Sequence, residues 1–207
     1  MTHPTPSAPS PGAATTRSRD GAATVTDSLA RGPGSDGGGA GVAFDPVPYA
    51  RGTAACAWLA RSSHYINNPP PGCLFAVGAK RLVPGLFGDV GGGPLVGLCV
   101  VGRPVARQLP QDGTMGEITR FVLVPGLPHG TASALLRRAA EIAPTRGVRV
   151  LIAYHDRTRH TGCIYKKAGF RRDGVVAKRT PGWNSRPNRK SADYEQTSKR
   201  RWRLECA

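Results

Sequence analysis

The chain has 207 residues, with 29 Lys and Arg against 13 Asp and Glu, a formal charge of +16. No apolar run reaches the roughly 18 residues of a membrane-spanning helix, which excludes an integral helical membrane protein, and no apolar stretch near Met1 reads as a secretory signal. The five cysteines (Cys56, Cys73, Cys99, Cys163, Cys206) are odd in number and scattered. That spacing suits neither a disulfide framework nor a Cys-type zinc site, and a reducing cytoplasmic setting is expected.

Residues 1–41 contain 31 Gly, Pro, Ser, Thr or Ala. Three arginines (Arg17, Arg19, Arg31) are balanced there by Asp20, Asp27 and Asp36. Such a segment has too little apolar surface to offset chain entropy, so 1–44 reads as a disordered tail. The whole +16 falls on the remainder, which is long enough for one basic globular domain over 45–180. A basic Trp/Arg-rich segment follows at 181–207. A charge of this size attracts polyanions, nucleic acid first among them.

Several elements are expected in chain order. The spacing of Ala54, Ala57, Trp58 and Arg61 predicts a helix within 49–61. His64 and Tyr65 follow, then the breaker Asn67–Gly72. CLFAVGA (73–79) and PLVGLCVVG (94–102) read as strands of a hairpin, with a glycine-rich turn over 84–94. GEITRFVLV (116–124) is a strand stopped by Pro125-Gly126. TASALLRRAAEIA (131–143) is an amphipathic helix on Ala132, Leu135, Leu136, Ala139, Ala140 and Ala143, ended by Pro144. VRVLIAY (148–154) is a strand, HTGCIYKKAG (160–169) a short helix, and FRRDGVVAK (170–178) a strand or hairpin. Antiparallel strands followed by β-α-β-α-β imply an α/β (α+β) fold, a mixed central sheet with helices packed on it.

Three places carry candidate chemistry. The loop 125–132 leads into a helix whose free N–H groups suit a pyrophosphate, and the small residues Gly130, Thr131, Ala132 and Ser133 let a phosphate come close, unless this is a plain turn with a small-residue cap. Arg120 lies in a strand of apolar or small residues, either as an anion clamp or paired internally with Glu117 or Asp156. Tyr154 and Asp156 sit at the carboxyl end of a strand, where α/β sheets place ligands. Asp156 is a candidate general base or metal ligand, or only an Asx turn or helix cap. His64, Asp156 and His160 have the composition of a two-His, one-carboxylate site for iron or another divalent metal, with His160 alternatively just the start of a helix. Over 171–205 there are 11 Lys and Arg, four acids and the aromatics Trp183, Tyr194 and Trp202. Arg186, Arg189, Arg200 and Arg201 with Trp183 and Trp202 are the candidate DNA contacts, phosphate through the arginines and base faces through the tryptophans, unless the tail is merely solvated.

IYKKAGFRRDG (164–174) resembles the last helix–strand unit of the GNAT acyltransferase superfamily, and 117–174 resembles its core. The resemblance implies a GNAT-like sheet, acetyl-CoA or another acyl-CoA at Gly130–Ser133, and Tyr165 as the acid for the CoA thiolate. Leu127 stands where that superfamily has Gln or Arg. A narrower resemblance, to the Mom family of phage DNA-modification proteins, rests on His64-Tyr65, GLCVVGRP (97–104), Glu117-Ile118-Thr119-Arg120 and AYHDRTRHTGCIY (153–165). It implies transfer of an acyl-type or carbamoylmethyl group to the exocyclic amine of adenine in double-stranded DNA, protective against restriction. His64, Tyr65, Arg120, Asp156 and Tyr165 would then line the site. The alternatives are an N-acetyltransferase for a small amine or protein, and a non-catalytic DNA-binding protein on the same scaffold. No membrane partner is expected, and a homodimer is left open.

Overall fold

The computed structural model describes residues 41–62, 68–70, 72–85, 88–90, 92–177 and 197–207. His64, Tyr65, Trp183, Arg186 and Arg189 lie outside the described residues.

The sequence order is β1 (Val42–Pro46), α1 (Ala54–Arg61), β2 (Phe75–Arg81), β3 (Val83–Gly85), β4 (Gly88–Val90), β5 (Leu95–Gly102), β6 (Met115–Leu123), α2 (Thr131–Ile142), a 3-10 turn (Ala143–Arg146), β7 (Val150–Asp156), α3 (Cys163–Lys167), β8 (Arg171–Val176) and β9 (Lys199–Glu205). Seven strands form one mixed sheet in the order β1-β2-β5-β6-β7-β9-β8, with β3 and β4 as a separate two-stranded ribbon. The expected hairpin is present as β2 antiparallel to β5, and the 84–94 turn contains the short ribbon.

Local chemistry explains the boundaries. The first helix begins at Ala54 rather than further upstream because Thr53 caps it, its hydroxyl accepting from the Cys56 N–H at 3.4 Å. The second helix buries Leu135, Leu136, Ala139 and Ile142 against the sheet and leaves Arg137 exposed, as the apolar stripe requires. Side chains alternate across the strands. One face of the sheet packs Val77, Cys99, Ile118, Leu151 and Ala153 against α2 and α3. The other packs Ala76, Leu98, Val100 and Val122 under α1.

Two strands were not foreseen. Val42–Pro46 pairs with β2, so the globular part starts inside the segment read as a tail. Lys199–Glu205 is no appended segment: it is inserted between β7 and β8, antiparallel to both. Its basic side chains concealed a period of two, with Trp202 and Leu204 turned to the core and Lys199, Arg201 and Arg203 to the opposite face.

Candidate active site

The parallel ladder between β6 and β7 is short. It runs from Met115 opposite Val150 to Ile118 opposite Ala153 and then stops. Beyond it β6 continues to Leu123 bound only to β5, and β7 continues to Asp156 bound only to β9. The sheet therefore opens in a wedge between two parallel strands. A wedge of this kind exposes unpaired backbone N–H and C=O groups of adjacent strands to whatever enters it.

At the wide end of the wedge, a groove of about 270 Å³ runs between the start of α2 and α3. Its walls are Leu123 and Val124 of β6, the turn Gly126–Gly130, Thr131–Ser133 of α2, and Cys163, Ile164 and Lys167 of α3. Gly130 precedes the helix at φ +95°, a left-handed conformation that side-chain-bearing residues rarely adopt. It offers no capping side chain, so the first-turn N–H groups of Ala132 and Ser133 have no intrahelical acceptor. The Thr131 and Ser133 hydroxyls donate back to the Pro128 carbonyl at 2.7 Å and the Gly130 carbonyl at 2.9 Å, fixing the turn. Arg137 reaches the Lys167 carbonyl at 3.3 Å and ties the two groove walls together. All four residues expected to cradle a phosphate, Gly130, Thr131, Ala132 and Ser133, line this groove.

At the narrow end sits Glu117, third residue of β6, only 8% exposed. Because Ile118 packs towards α2 and α3, Glu117 faces the opposite side of the sheet, with Ile152 beside it on β7. Its Oε2 accepts the Val105 backbone N–H at 2.8 Å. Burial pushes its carboxyl above the usual range, and the Val105 N–H, Lys199 and Arg120 pull only part of the way back. Tyr154 and Arg201 stand on the same face of β7 and β9, and Arg201 pairs with Asp173 at 2.7 Å. Sequence reasoning weighed Glu117 only as an ion-pair partner of Arg120 and as part of the Glu117–Arg120 motif. The signal was available, because a carboxylate in the strand read over 116–124 has the same burial problem as the arginine three residues on.

Several expected roles are corrected. Arg120 donates to backbone carbonyls, from Nε and Nη2 to Asn68 at 3.1 and 2.8 Å and from Nη1 to Thr119 at 2.6 Å. The guanidinium thus fastens the chain after α1 to β6, and its charge acts on Glu117, as the internal-pairing alternative expects. Asp156 is buried and already engaged: Oδ1 accepts the Thr158 N–H at 2.8 Å and hydroxyl at 2.7 Å, and Oδ2 faces Arg159 at 3.4 Å. Burial alone would raise its carboxyl, but hydrogen bonds from Thr158 and Thr197 overcome this and hold it at about 2. So weak a base is unsuited to deprotonating an amine near neutral pH, and the Asx-turn alternative describes Asp156. His160 is exposed, its N–H bound to the Asp156 carbonyl. Among the described residues no cluster of three His, Cys, Asp or Glu side chains gathers as a metal site, and His64 lies outside them.

Asp156→Asn should therefore cost stability rather than chemistry. The carboxylate's folded pKa lies below its ordinary 3.8, so its stabilisation is complete above 3.8 and is lost as pH falls towards 2. Thermal unfolding of wild type and variant across that window checks this. The wild type should lose an acid-sensitive increment that Asp156→Asn lacks.

Trp202 is 2% exposed and cannot stack on a nucleic-acid base from that position. Its indole N–H donates to His155 Nδ1 at 2.6 Å, and Tyr165 stacks on both rings, at 5.7 Å from Trp202 and 6.0 Å from His155. Arg172 lies over the same indole at 5.9 Å. Arg200 and Arg201 are half-buried strand residues, the latter bound to Asp173. Tyr165, 6% exposed, thus stands behind the groove, one residue from the wall formed by Cys163 and Ile164. Gly162 permits this packing. A Cβ there would come within 2.5 Å of the His155 ring and 2.7 Å of Trp202.

No family model matches the chain, and no curated protein matches it. Solved structures do. A Bacillus subtilis acetyltransferase in complex with CoA aligns over 80% of this chain and 99% of its own, at 14% identity and a TM-score of 0.50. An IAA acetyltransferase from Bacillus cereus aligns over 79% and 99%, at 19% identity and a TM-score of 0.48. A GNAT-family acetyltransferase from Desulfovibrio desulfuricans aligns over 80% and 99%, at 17% identity and a TM-score of 0.48. The chain has the GNAT acetyltransferase fold, as the first of these similarities shows. The first of these is an acetyltransferase, and it lends the Mom resemblance no support.

Proposed function

We propose that this chain is an acyl-CoA-dependent N-acyltransferase acting on an amine. The observation that carries the reading is the wedge between β6 and β7, with an anion-suited helix N-terminus at its wide end and a buried, pKa-raised carboxylate at its narrow end. The separation suits the cofactor. Glu117 to Val124 is about 23 Å of extended strand at roughly 3.3 Å per residue, comparable to an extended phosphopantetheine arm. The pyrophosphate would bind the Ala132 and Ser133 N–H groups. The thioester would then lie where the ladder ends at Ile118 and Ala153.

The residues perform the following balance. The acceptor ammonium first loses one proton to solvent, and the neutral nitrogen then attacks the thioester carbonyl carbon from the Glu117 side of the sheet. Glu117 takes the proton that the nitrogen sheds as the C–N bond forms. The C–S bond breaks, and the thiolate takes a proton for which we assign the Tyr165 hydroxyl. Burial serves the base well, because a carboxylate raised above its usual range binds an amine proton more strongly than a solvated one. Transfer to the exocyclic amine of adenine in DNA is a second reading, favoured by the charge of +16. Without Trp202 at the surface it rests on charge alone.

Steady-state transfer from acetyl-CoA to a panel of amines tests the reading, beside thermal protection by acetyl-CoA. Protection should follow RT ln(1 + [L]/Kd), about 2.7 kcal/mol at a hundredfold excess over Kd. Gly130→Glu should abolish it, since bulk, negative charge and an unfavourable φ of +95° all fall at the phosphate cradle. No protection of the wild type at millimolar acetyl-CoA would remove CoA from the mechanism.

A further inference from the structure

The surroundings of Glu117 say what kind of amine it serves. The charged side chains that act on its carboxylate are both cationic, Lys199 of β9 and Arg120 of β6. The acids on this side are each paired with an arginine: Asp173 with Arg201 at 2.7 Å, and Asp156, opposite Lys199 in the β7–β9 register, with Arg159 at 3.4 Å. The loop from β5 to β6 adds more positive charge. Its Val105 peptide N–H is the group that holds Glu117, and the Val105 side chain is 77% exposed. The loop is a built element: the Gln111 amide donates to the carbonyls of Pro104, Ala106 and Leu109 at 3.1, 3.2 and 3.1 Å. Two residues either side of Val105 stand Arg103 and Arg107, both exposed, and neither makes a side-chain hydrogen bond or ion pair among the described residues. Two extended residues span at most about 7 Å, so the Cα atoms of both arginines lie within about 7 Å of that of Val105, whose N–H holds the base.

An acceptor amine reaches the enzyme as an ammonium ion. A simple monoamine or polyamine would bring positive charge beside Arg120, Lys199 and the arginines of the β5–β6 loop, and such like-charge juxtaposition is unfavourable. An acceptor that carries its own anion meets complementary charge instead, and the net +16 steers it inwards. We propose that the acceptor is an amine bearing a phosphate or carboxylate group near the nitrogen, and that Arg103 and Arg107 of the β5–β6 loop read that anion. Guanidinium forks match both oxyanions in bidentate geometry, and exposed arginines without internal partners need not break a bond to do so. This rests on the acyl-transfer reading and adds the substrate class to it.

The full chain with acetyl-CoA is assayed against ethanolamine, O-phosphoethanolamine, spermidine and a short adenine oligonucleotide. O-phosphoethanolamine should exceed ethanolamine and spermidine by about tenfold or more in kcat/KM, an advantage that shrinks as salt screens it. In the Arg103→Glu/Arg107→Glu double variant its KM should rise about tenfold, while the KM of acetyl-CoA stays put. A better rate with the oligonucleotide than with O-phosphoethanolamine would assign the anion to a polynucleotide, and a poorer one to a small molecule. Spermidine or ethanolamine matching the phosphorylated amine, or an unmoved KM in the double variant, would overturn the proposal. If no amine is acylated, the acyl-transfer reading fails separately, and thermal-shift binding of O-phosphoethanolamine to wild type and double variant decides the anion site. Binding that the double variant loses supports it, and binding that is absent or unchanged refutes it.

Discussion

Glu117→Gln should lower kcat for acyl transfer by about a hundredfold or more, the usual contribution of a positioned general base. The substitution keeps the size of the side chain, and its amide oxygen still accepts the Val105 N–H that the carboxylate holds at 2.8 Å. Acetyl-CoA binding should therefore be unaffected, since the phosphate cradle lies at the other end of β6. The pH profile adds a second readout. The acid must be ionised to take a proton, and burial sets its pKa above the ordinary 4.5. Wild-type kcat/KM should fall as pH drops through that raised value, and the acid limb should vanish in Glu117→Gln. Stability moves the opposite way. Between 4.5 and the raised value the folded state binds a proton the unfolded state has released, so stability declines as pH rises through this window. Removing the charge should abolish that decline. An unchanged kcat in Glu117→Gln would assign the base elsewhere.

The parts of the fold that were legible are those whose side chains obey one period. The second helix shows its apolar stripe plainly, and the near-continuous apolar run of β5 marks a strand buried on both faces. Lys199–Glu205 was opaque for a definite reason. Five of its seven residues are charged, and only the alternation of Trp202 and Leu204 betrays the inward face. Burial on one face was mistaken for a tail with aromatic contacts, because aromatic residues among arginines suit either. The phosphate cradle was readable because its requirement is local, small residues and a glycine before a helix. The base was not, because its significance depends on where the β6–β7 ladder ends, which is a relation between strands 35 residues apart in register. Asp156 misled for the complementary reason. The end of a strand in an α/β sheet is a good place to look for chemistry, but Thr158 two residues on consumes the carboxylate in a local turn.

Trp202→Ala should be among the most damaging single substitutions in the chain, through the fold and not through any ligand. The indole is 2% exposed, stacks on Tyr165 and His155, and donates its N–H to His155 Nδ1. Truncating a buried tryptophan costs about 3–5 kcal/mol, against a typical total stability of about 5–15 kcal/mol. A fall in Tm of about 10 °C or more is the expected result for a domain of this size. A Trp202 that served to stack on nucleic acid would instead lose DNA affinity with Tm unchanged. Trp202→Phe separates packing from the hydrogen bond. The indole N–H can only donate, so His155 must accept at Nδ1 and carry its proton on Nε2. An imidazolium, with a proton on both nitrogens, is incompatible with that bond. Burial first, then Arg200 and His160, already holds the His155 pKa below its ordinary 6.5. A depressed folded pKa means the unfolded chain takes up a proton first, so stability falls as pH drops below 6.5. In Trp202→Phe the ring largely fills the space but offers no donor, so Nδ1 is free to accept a proton. The variant should be less stable than wild type at pH 8, and its further loss on acidification to pH 5 should be smaller. An equal acid dependence in the two proteins would show that the Trp202–His155 bond does not set the protonation state of His155.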